Sequence, residues 1–279
     1  MGKADLHIHT TASDGNLAAD EVAVLAREQG LEVIAITDHD TITAYPAAKR
    51  AGAEIGLEVL PGVELTCEFN ERESHLLAYC FDVENRDFLQ LLRKHRKARL
   101  DRVGWIVGQL TDQGLELDKD EVRAEAGGGN VGRPHVASVL VKKGYVGSAK
   151  EAFIRYLGNH VLGPIQSDYV SHTDAIEIIK GAGGAAVLAH PGVLYTEEEF
   201  EQWIESGLDG VEVVHPSHDY TQQKHYQELA ERHELLVTGG SDYHGGNGEY
   251  LRHFGVVNIG LENVRNLKRM TEQRKRISV

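Results

Sequence analysis

Apolar positions along this chain follow two rhythms. In one, short and nearly continuous apolar runs end abruptly in charge. In the other, apolar residues recur every three or four positions. Residues 3–9 read as a short strand in which Leu6 and Ile8 alternate with His7 and His9. Residues 17–29 place Val22, Leu25 and Ala26 on one helical face, and Gly30 marks a stop. "LEVIAITDHD" is the apolar run of a buried parallel strand ending in charge. A helix over 44–55 follows, then strands at "LEVLPGVELT" and "SHLLAYCF". This alternation predicts a parallel α/β sheet or barrel.

The rhythm changes between residues 85 and 170, where no convincing apolar strand occurs. "LLRKHRKARLDRVGWIVGQL" predicts a long amphipathic helix. "AEAGGGNVGRPH" is a glycine-rich break leading into another helix, with Pro134 in its first turn. The strand rhythm resumes at "GGAAVLAHPG", "GLDGVEVVHP" and "HELLVTGGSDYH". The predicted organisation is therefore an α/β barrel built from residues 1–84 and 171–279, interrupted by a helical insertion over 85–170.

Composition narrows the function. The 279 residues are 41% hydrophobic, enough for a sizeable core. No apolar run is long enough for a signal peptide or a membrane helix, and Gly2 lacks the rest of a myristoylation motif. The two cysteines, Cys67 and Cys80, form neither a metal motif nor a disulfide framework and read as small buried residues. A cytoplasmic setting is expected. The net charge of −14 argues against a broad duplex nucleic-acid surface, but not against a small phosphorylated ligand beside bound cations. The 15 histidines are many for this length, and metal ligation is the commonest reason.

Those histidines sit at strand ends. "DLHIHT" carries His7 and His9, "AITDHD" carries Asp38, His39 and Asp40, and "LPGVE" ends at Glu64. His75 opens "SHLLAY", "VLAHP" ends at His190, and "TGGSDYH" brings Asp242 and His244. Residues i and i+2 of a strand share a face, and parallel barrels place their sites at the C-terminal ends of the strands. The pattern predicts one convergent cluster, in which the paired imidazoles act as metal ligands.

Taken together, "DLHIHT", "SDG", "TDHDT", "PGVE", "AHP" and "GSDYH" resemble the polymerase-and-histidinol-phosphatase, or PHP, superfamily of metal-dependent phosphoesterases. The resemblance implies a distorted TIM-like (β/α)7 barrel with a helical insertion. By motif, His7, His9, Glu64 and Asp242 would hold a first metal. Asp14, His39 and His244 would hold a second. Glu64, His75 and His190 would hold a third, with Glu64 bridging. Three divalent ions are implied, and imidazole with carboxylate suits manganese first, with iron or zinc as alternatives. Asp14, Glu64 and His190 are thereby expected to be essential to catalysis.

Outside the metal set, Arg133 and His135 in "GRPH" suggest phosphate recognition, because an arginine fork before a helix suits an anion, with a salt bridge within the insertion as the alternative. His135 or His215 is expected to protonate the leaving oxygen. His215 and His218 are candidates for substrate contact or for support of the ligands. Asp38 and Asp40 would orient His39, or Asp40 would cap the next helix. The "RKHRKAR" run reads as a solvated helix face, with steering of a longer phosphodiester toward the site as the alternative.

The resemblance points most closely to the subgroup that removes the 3'-phosphate of nucleoside 3',5'-bisphosphates and trims short 5'-phosphorylated RNA from its 5' end. A histidinol-phosphate phosphatase or other phosphomonoesterase, a DNA-directed exonuclease, and a non-catalytic metal-stabilised binding module are the alternatives.

Overall fold

The computed structural model describes residues 2–163, 168–245 and 252–277. Strands β1 (Lys3–Ile8), β2 (Leu31–Ile36), β3 (Glu58–Phe69), β4 (Arg72–Tyr79), β5 (Ala185–Leu188), β6 (Gly210–Val214) and β7 (Leu236–Gly239) form one curved sheet in sequence order. A short β8 (Ile259–Gly260) adds antiparallel to β1. Beyond the end of β7, Ile8 bridges Tyr243 in parallel, and the His9 amide donates to the Tyr243 carbonyl at 2.8 Å. The result is a distorted, nearly closed barrel. Helices α1 (Ala19–Glu28) and α2 (Tyr45–Ile55) connect the first strands. Pro46 lies in the first turn of α2, and Gly56 ends it in the left-handed region at φ 69°.

The expectation of a purely parallel sheet is corrected at β4, which runs antiparallel to both β3 and β5. The reason is local. Only Asn70 and Glu71 separate β3 from β4, whereas a parallel crossover needs a dozen or more residues. Both residues take positive φ, 49° and 61°, as a two-residue hairpin of primed type requires. One consequence concerns the site. β4 begins at the end of the barrel where its parallel neighbours finish, so His75, opposite Thr66 in the register, faces the other strand ends.

β4 also ends at the opposite, lower rim of the barrel, and α3 (Arg86–Asp112) starts there. Its lower residues Phe88, Leu91 and Leu92 pack with Val63, Leu65 and Leu76 of the barrel. Its upper residues Val103, Ile106 and Leu110 belong to a separate core with Val122, Val136, Leu140 and Leu157. That second core is built from α3 with α4 (Lys119–Glu125), α5 (Arg133–Lys142) and α6 (Ala149–Ala152), which runs into a π-helical turn (Phe153–Leu157) before α7 (Asn159–Leu162). Helix α8 (His172–Gly181) then leads back down to β5, and α9 (Glu197–Glu205), α10 (Tyr220–Arg232) and α11 (Leu261–Ile277) complete the outer layer.

The glycine-rich break docks this helical block onto the barrel. The Asn130 side-chain amide donates to the carbonyls of His39 and Asp40 at 2.9 and 3.0 Å, and its backbone amide donates to Ala12. A Cβ on Gly129 would lie 2.5 Å from the Thr11 carbonyl oxygen and 2.8 Å from that of Ala12, so only glycine permits this approach.

Gly129→Ala is therefore expected to lower the melting temperature by about 3–8 °C, since strained backbone contacts of this kind cost on the order of 1–3 kcal/mol. Gly104→Ala, in α3 where an added Cβ meets nothing within 4 Å, should be neutral or mildly stabilising. Thermal denaturation of both variants tests the docking; equal melting temperatures would refute it.

Candidate metal centre

Glu64, at the middle of β3, is 1% exposed and lies among five imidazoles. Its two oxygens divide them. Oε2 lies 3.3 Å from His7 Nε2 and 3.2 Å from both His9 Nε2 and His39 Nδ1. Oε1 lies 2.7 Å from His75 Nδ1 and 2.9 Å from His190 Nε2. Asp242 Oδ1 closes the first side at 3.3 Å from His7 Nε2 and 3.2 Å from His9 Nε2. On the next side, Asp14 Oδ1 lies 3.4 Å from both His244 Nε2 and His9 Nδ1, and its Oδ2 lies 3.7 Å from His39 Nε2. All nine residues expected as ligands thus converge on one rim of the barrel.

The donor set fits divalent cations on its own chemistry. His7 Nε2, His9 Nε2, Asp14 Oδ1, His39 Nδ1 and His75 Nδ1 are all buried without a hydrogen-bond partner. Orphaned buried donors and acceptors are costly, and here they point at one another in groups that could each hold an ion. The outer ring nitrogens set the tautomers. His7 Nδ1–H donates to Glu212 at 2.9 Å, His244 Nδ1–H to the Asp242 carbonyl at 2.8 Å, and His75 Nε2–H to Glu73 at 3.3 Å. Each bond leaves the other nitrogen's lone pair facing the cluster.

Charge is concentrated here. Burial opposes ionisation, yet the surrounding histidines hold Asp14, Glu64 and Asp242 well below the ordinary carboxylate range. Burial likewise opposes protonation of His75 and His244, but Glu64 and Glu73 push His75 up to about 9, and Asp14 and Asp242 push His244 up to about 10. His39 goes the other way, lowered by burial to about 3. Two ligand candidates also sit on strained backbone: His190 has φ 26° and Asp242 φ 50°, a conformation costing non-glycine residues on the order of 1–3 kcal/mol.

The supporting carboxylates each have a definable task. Asp38 accepts from Thr10 N, Thr10 Oγ1 and Ser13 Oγ at 2.6–2.8 Å, holding the loop that carries Asp14. Asp40 accepts from the amide and hydroxyl of Thr66, from His95 Nδ1–H and from Arg99 Nε. It ties the His39 loop to β3 and α3. It does not cap α2, whose N-cap position is Ala44. Glu212 was not singled out from the sequence. Fully buried in β6, it accepts from His7 Nδ1 and, at 2.8 Å, from the His190 amide, so one carboxylate orients two ligands. A glutamate inside the apolar run "GVEVV" was the available signal. Cys67 and Cys80 are buried free thiols, apart from this chemistry.

The "RKHRKAR" run is corrected. His95 and Arg99 face inward, and only the intervening Arg93, Lys94, Arg96 and Lys97 are solvated. Arg99, Arg102 and Arg133 line a small cavity of about 90 Å³ together with Asp14, His39 and His75. Glu73 accepts from Arg133 Nη2 at 3.1 Å, from Arg102 and from His75. Arg133 also packs over the Phe153 ring. Against burial, Arg133 and Arg102 hold the Glu73 carboxyl well below its usual range. A second and wider cleft, about 790 Å³, is lined by Ser13, Asp14, His135, Ser138, Phe153 and His244.

The remaining histidines differ in availability. The Gly132 amide donates to His135 Nδ1 at 3.0 Å, so the neutral ring carries its proton on Nε2, and burial holds His135 below its ordinary value. The Ser217 amide donates to His215 Nδ1 at 3.1 Å, leaving the Nε2 proton facing Asp242 Oδ2 at 3.4 Å. His218 is corrected as a substrate contact. Its Nδ1–H donates to the Val213 carbonyl and its Nε2 accepts from the Gly192 amide, so both nitrogens are committed to the loop after His190.

A family model described as the PHP domain matches residues 5–157. The chain is 34% identical over 250 residues to a 5'-3' exoribonuclease of Haemophilus influenzae, covering 87% of this chain and 90% of that one. It is 32% identical over 246 residues to a phosphoribosyl 1,2-cyclic phosphate 1,2-diphosphodiesterase of Eggerthella lenta, covering 86% and 94%. It is 30% identical over 258 residues to a 3',5'-nucleoside bisphosphate phosphatase of Chromobacterium violaceum, covering 88% of each. A crystal structure from Bifidobacterium adolescentis, described as a metal-dependent phosphoesterase, superposes with a TM-score of 0.86 at 34% identity over 96% of both chains.

The raised histidines set the pH dependence of metal binding. At about pH 7.5 the metal-free protein holds protons on His75 and His244, whose values lie near 9 and 10. An ion needs those lone pairs, so loading should release protons, and apparent affinity should climb with pH until those values are passed. Calorimetry in buffers of unlike ionisation enthalpy counts the protons, and zero net release would contradict the ligand roles. Glu212→Gln should weaken metal binding about 10- to 100-fold without unfolding the protein, as read by elemental analysis after dialysis.

Proposed function

The chain belongs to the PHP family of metal-dependent phosphoesterases, and from that premise we propose that it removes the 3'-phosphate of nucleoside 3',5'-bisphosphates and also trims short 5'-phosphorylated RNA from its 5' end. The observation that carries this reading is the arginine pocket beside the metal centre. A phosphoesterase acting on a simple monoester needs cations only around the reacting phosphoryl group. Here Arg99, Arg102 and Arg133 add a second anion site next to His39 and His75. That suits a substrate with two phosphates. It disfavours histidinol phosphate, whose remainder is cationic.

In this reading three ions, manganese first among the candidates, would be held as the motifs imply: His7, His9, Glu64 and Asp242 would take one, Asp14, His39 and His244 a second, and Glu64, His75 and His190 a third. The split of the Glu64 oxygens supports its bridging role. Such ions activate water near neutral pH and draw charge from phosphoryl oxygens. The chain's own residues do the rest. Arg133, with Arg102 beside it, binds the 5'-phosphate and sets the distance to the 3'-phosphorus. Glu212 and Asp38 fix the ligand geometry. His135 and His215 each present an Nε2 proton, one in the wide cleft and one beside Asp242, from which the leaving 3'-oxygen can be protonated. The wide cleft leaves room for whatever follows the phosphorus. A monoester and a diester differ only at that point, which is why both belong to one reading.

Arg133→Ala is expected to lower kcat/KM for a nucleoside 3',5'-bisphosphate roughly 10- to 100-fold, the value of a charge-assisted phosphate contact of about 1.5–3 kcal/mol. Hydrolysis of a nucleoside 3'-monophosphate should change little, and Arg133→Lys should recover part of the loss. Steady-state kinetics on the two substrates decides. Equal losses would move Arg133 to the reacting phosphoryl group, and no loss on either would remove the main support for a nucleotide substrate.

A further inference from the structure

We propose that Glu73 sets the specificity of the arginine pocket by closing it behind a single terminal phosphate, so that substrates with a 5'-diphosphate or longer anionic end are excluded. The inference rests on reading that pocket as the 5'-phosphate site.

The geometry is a wall between two spaces. The arginine pocket is small, about 90 Å³, and adjoins a larger cleft of about 510 Å³. Glu73 and Arg102 line both. The larger cleft, bordered by Arg72, Ser74 and Tyr195, has the volume for a further phosphoryl group. Glu73 and Arg102 stand between the two, and the Glu73 carboxylate is only 8% exposed and fixed on three sides by Arg102, Arg133 and His75.

Charge balance points the same way as volume. Arg99 is matched by Asp40 at 2.5 Å. Arg102 and Arg133 then share one carboxylate, Glu73, so around it the guanidiniums exceed the carboxylate by about one charge, before Asp14 across the pocket is counted. A terminal phosphate brings about −1.5 to −2 and already consumes that excess. Each further phosphate adds roughly one more negative charge, directly against a buried carboxylate. Placing like charges together in a desolvated site is how a protein rejects a near relative of its ligand. Such an end-reader separates monophosphorylated ends from longer ones without contacting the base.

The test compares phosphate release from nucleoside 3'-phosphates bearing a 5'-monophosphate or a 5'-diphosphate, using metal-loaded enzyme. The wild type should favour the monophosphate about 10- to 100-fold in kcat/KM. Glu73→Gln keeps the shape and an oxygen to accept the His75 proton but removes the charge, and it should narrow that ratio at least about 10-fold. Glu73→Ala, which also removes the bulk, should narrow it further. Elemental analysis checks that the Gln variant keeps its metal. A wild-type ratio near one overturns the proposal, and so do equal losses on both substrates with the ratio preserved, which would make Glu73 a support for His75. If the wild type turns over neither nucleotide, the function reading has failed, and Glu73 is judged by calorimetric binding of nucleoside 5'-mono- and 5'-diphosphate. Preference for the monophosphate that weakens in Glu73→Gln upholds it, and equal or no binding of the two overturns it.

Discussion

A carboxylate surrounded by imidazoles in a water-poor rim is the constraint on which the rest of this structure depends. Glu64 has five histidine nitrogens within 3.3 Å and almost no exposure. Such a group of titratable side chains is costly to bury unless cations complete it. The fold answers geometrically. The candidate ligands arrive from six strands and the loops that follow them, His7, His75 and His244 are each held by a bond on the far side of the ring, and two of the contributing residues accept left-handed backbone to get there. Asp38, Asp40 and Glu212 bear on no substrate. Their work is to keep the inner ring in place, and each is fully satisfied by neighbours a few residues from a ligand.

The convergence of these histidines and carboxylates was legible in the sequence because strand geometry is periodic. A histidine at i and i+2 before a polar turn has only one economical reading, and repetition at six strand ends points them to the same rim. The long helix after β4 was legible for a similar reason, since "WIVGQL" and the residues before it repeat every three or four positions. What escaped depended on tertiary pairing. The reversal of β4 hangs on Asn70 and Glu71, a pair without the glycine that usually announces a tight hairpin. Arg99 ends, and Arg102 follows, a run whose composition is that of a solvated face, and the partners Asp40 and Glu73 turn them inward. Glu73 itself sits in "NERESH", a stretch that reads as exposed. His218, read as a substrate contact or a support, has the bonds of the second, because a histidine beside a strand end can tie down a loop as readily as touch a ligand.

The arginines and the metal ligands are not independent sites. Glu73 touches His75 and two guanidiniums, Asp40 neighbours His39 and holds a third, and Asn130 bonds the backbone of His39 and Asp40. The arginine pocket and the support of the candidate metal ligands therefore share the same few side chains. Packing makes them one body as well: α3 lends its lower half to the barrel core and its upper half to the helical block.

The reversed strand explains why that helix is so long. With β4 running downward, the chain leaves the barrel at the rim far from the metals, and α3 must climb the outside wall before anything can be built above the mouth. Its 27 residues span about 40 Å, roughly the height of the climb and an overhang. The covering block is thus carried on a continuous rigid strut and does not swing from a flexible tether. The height at which that block sits is set by the length of the helix.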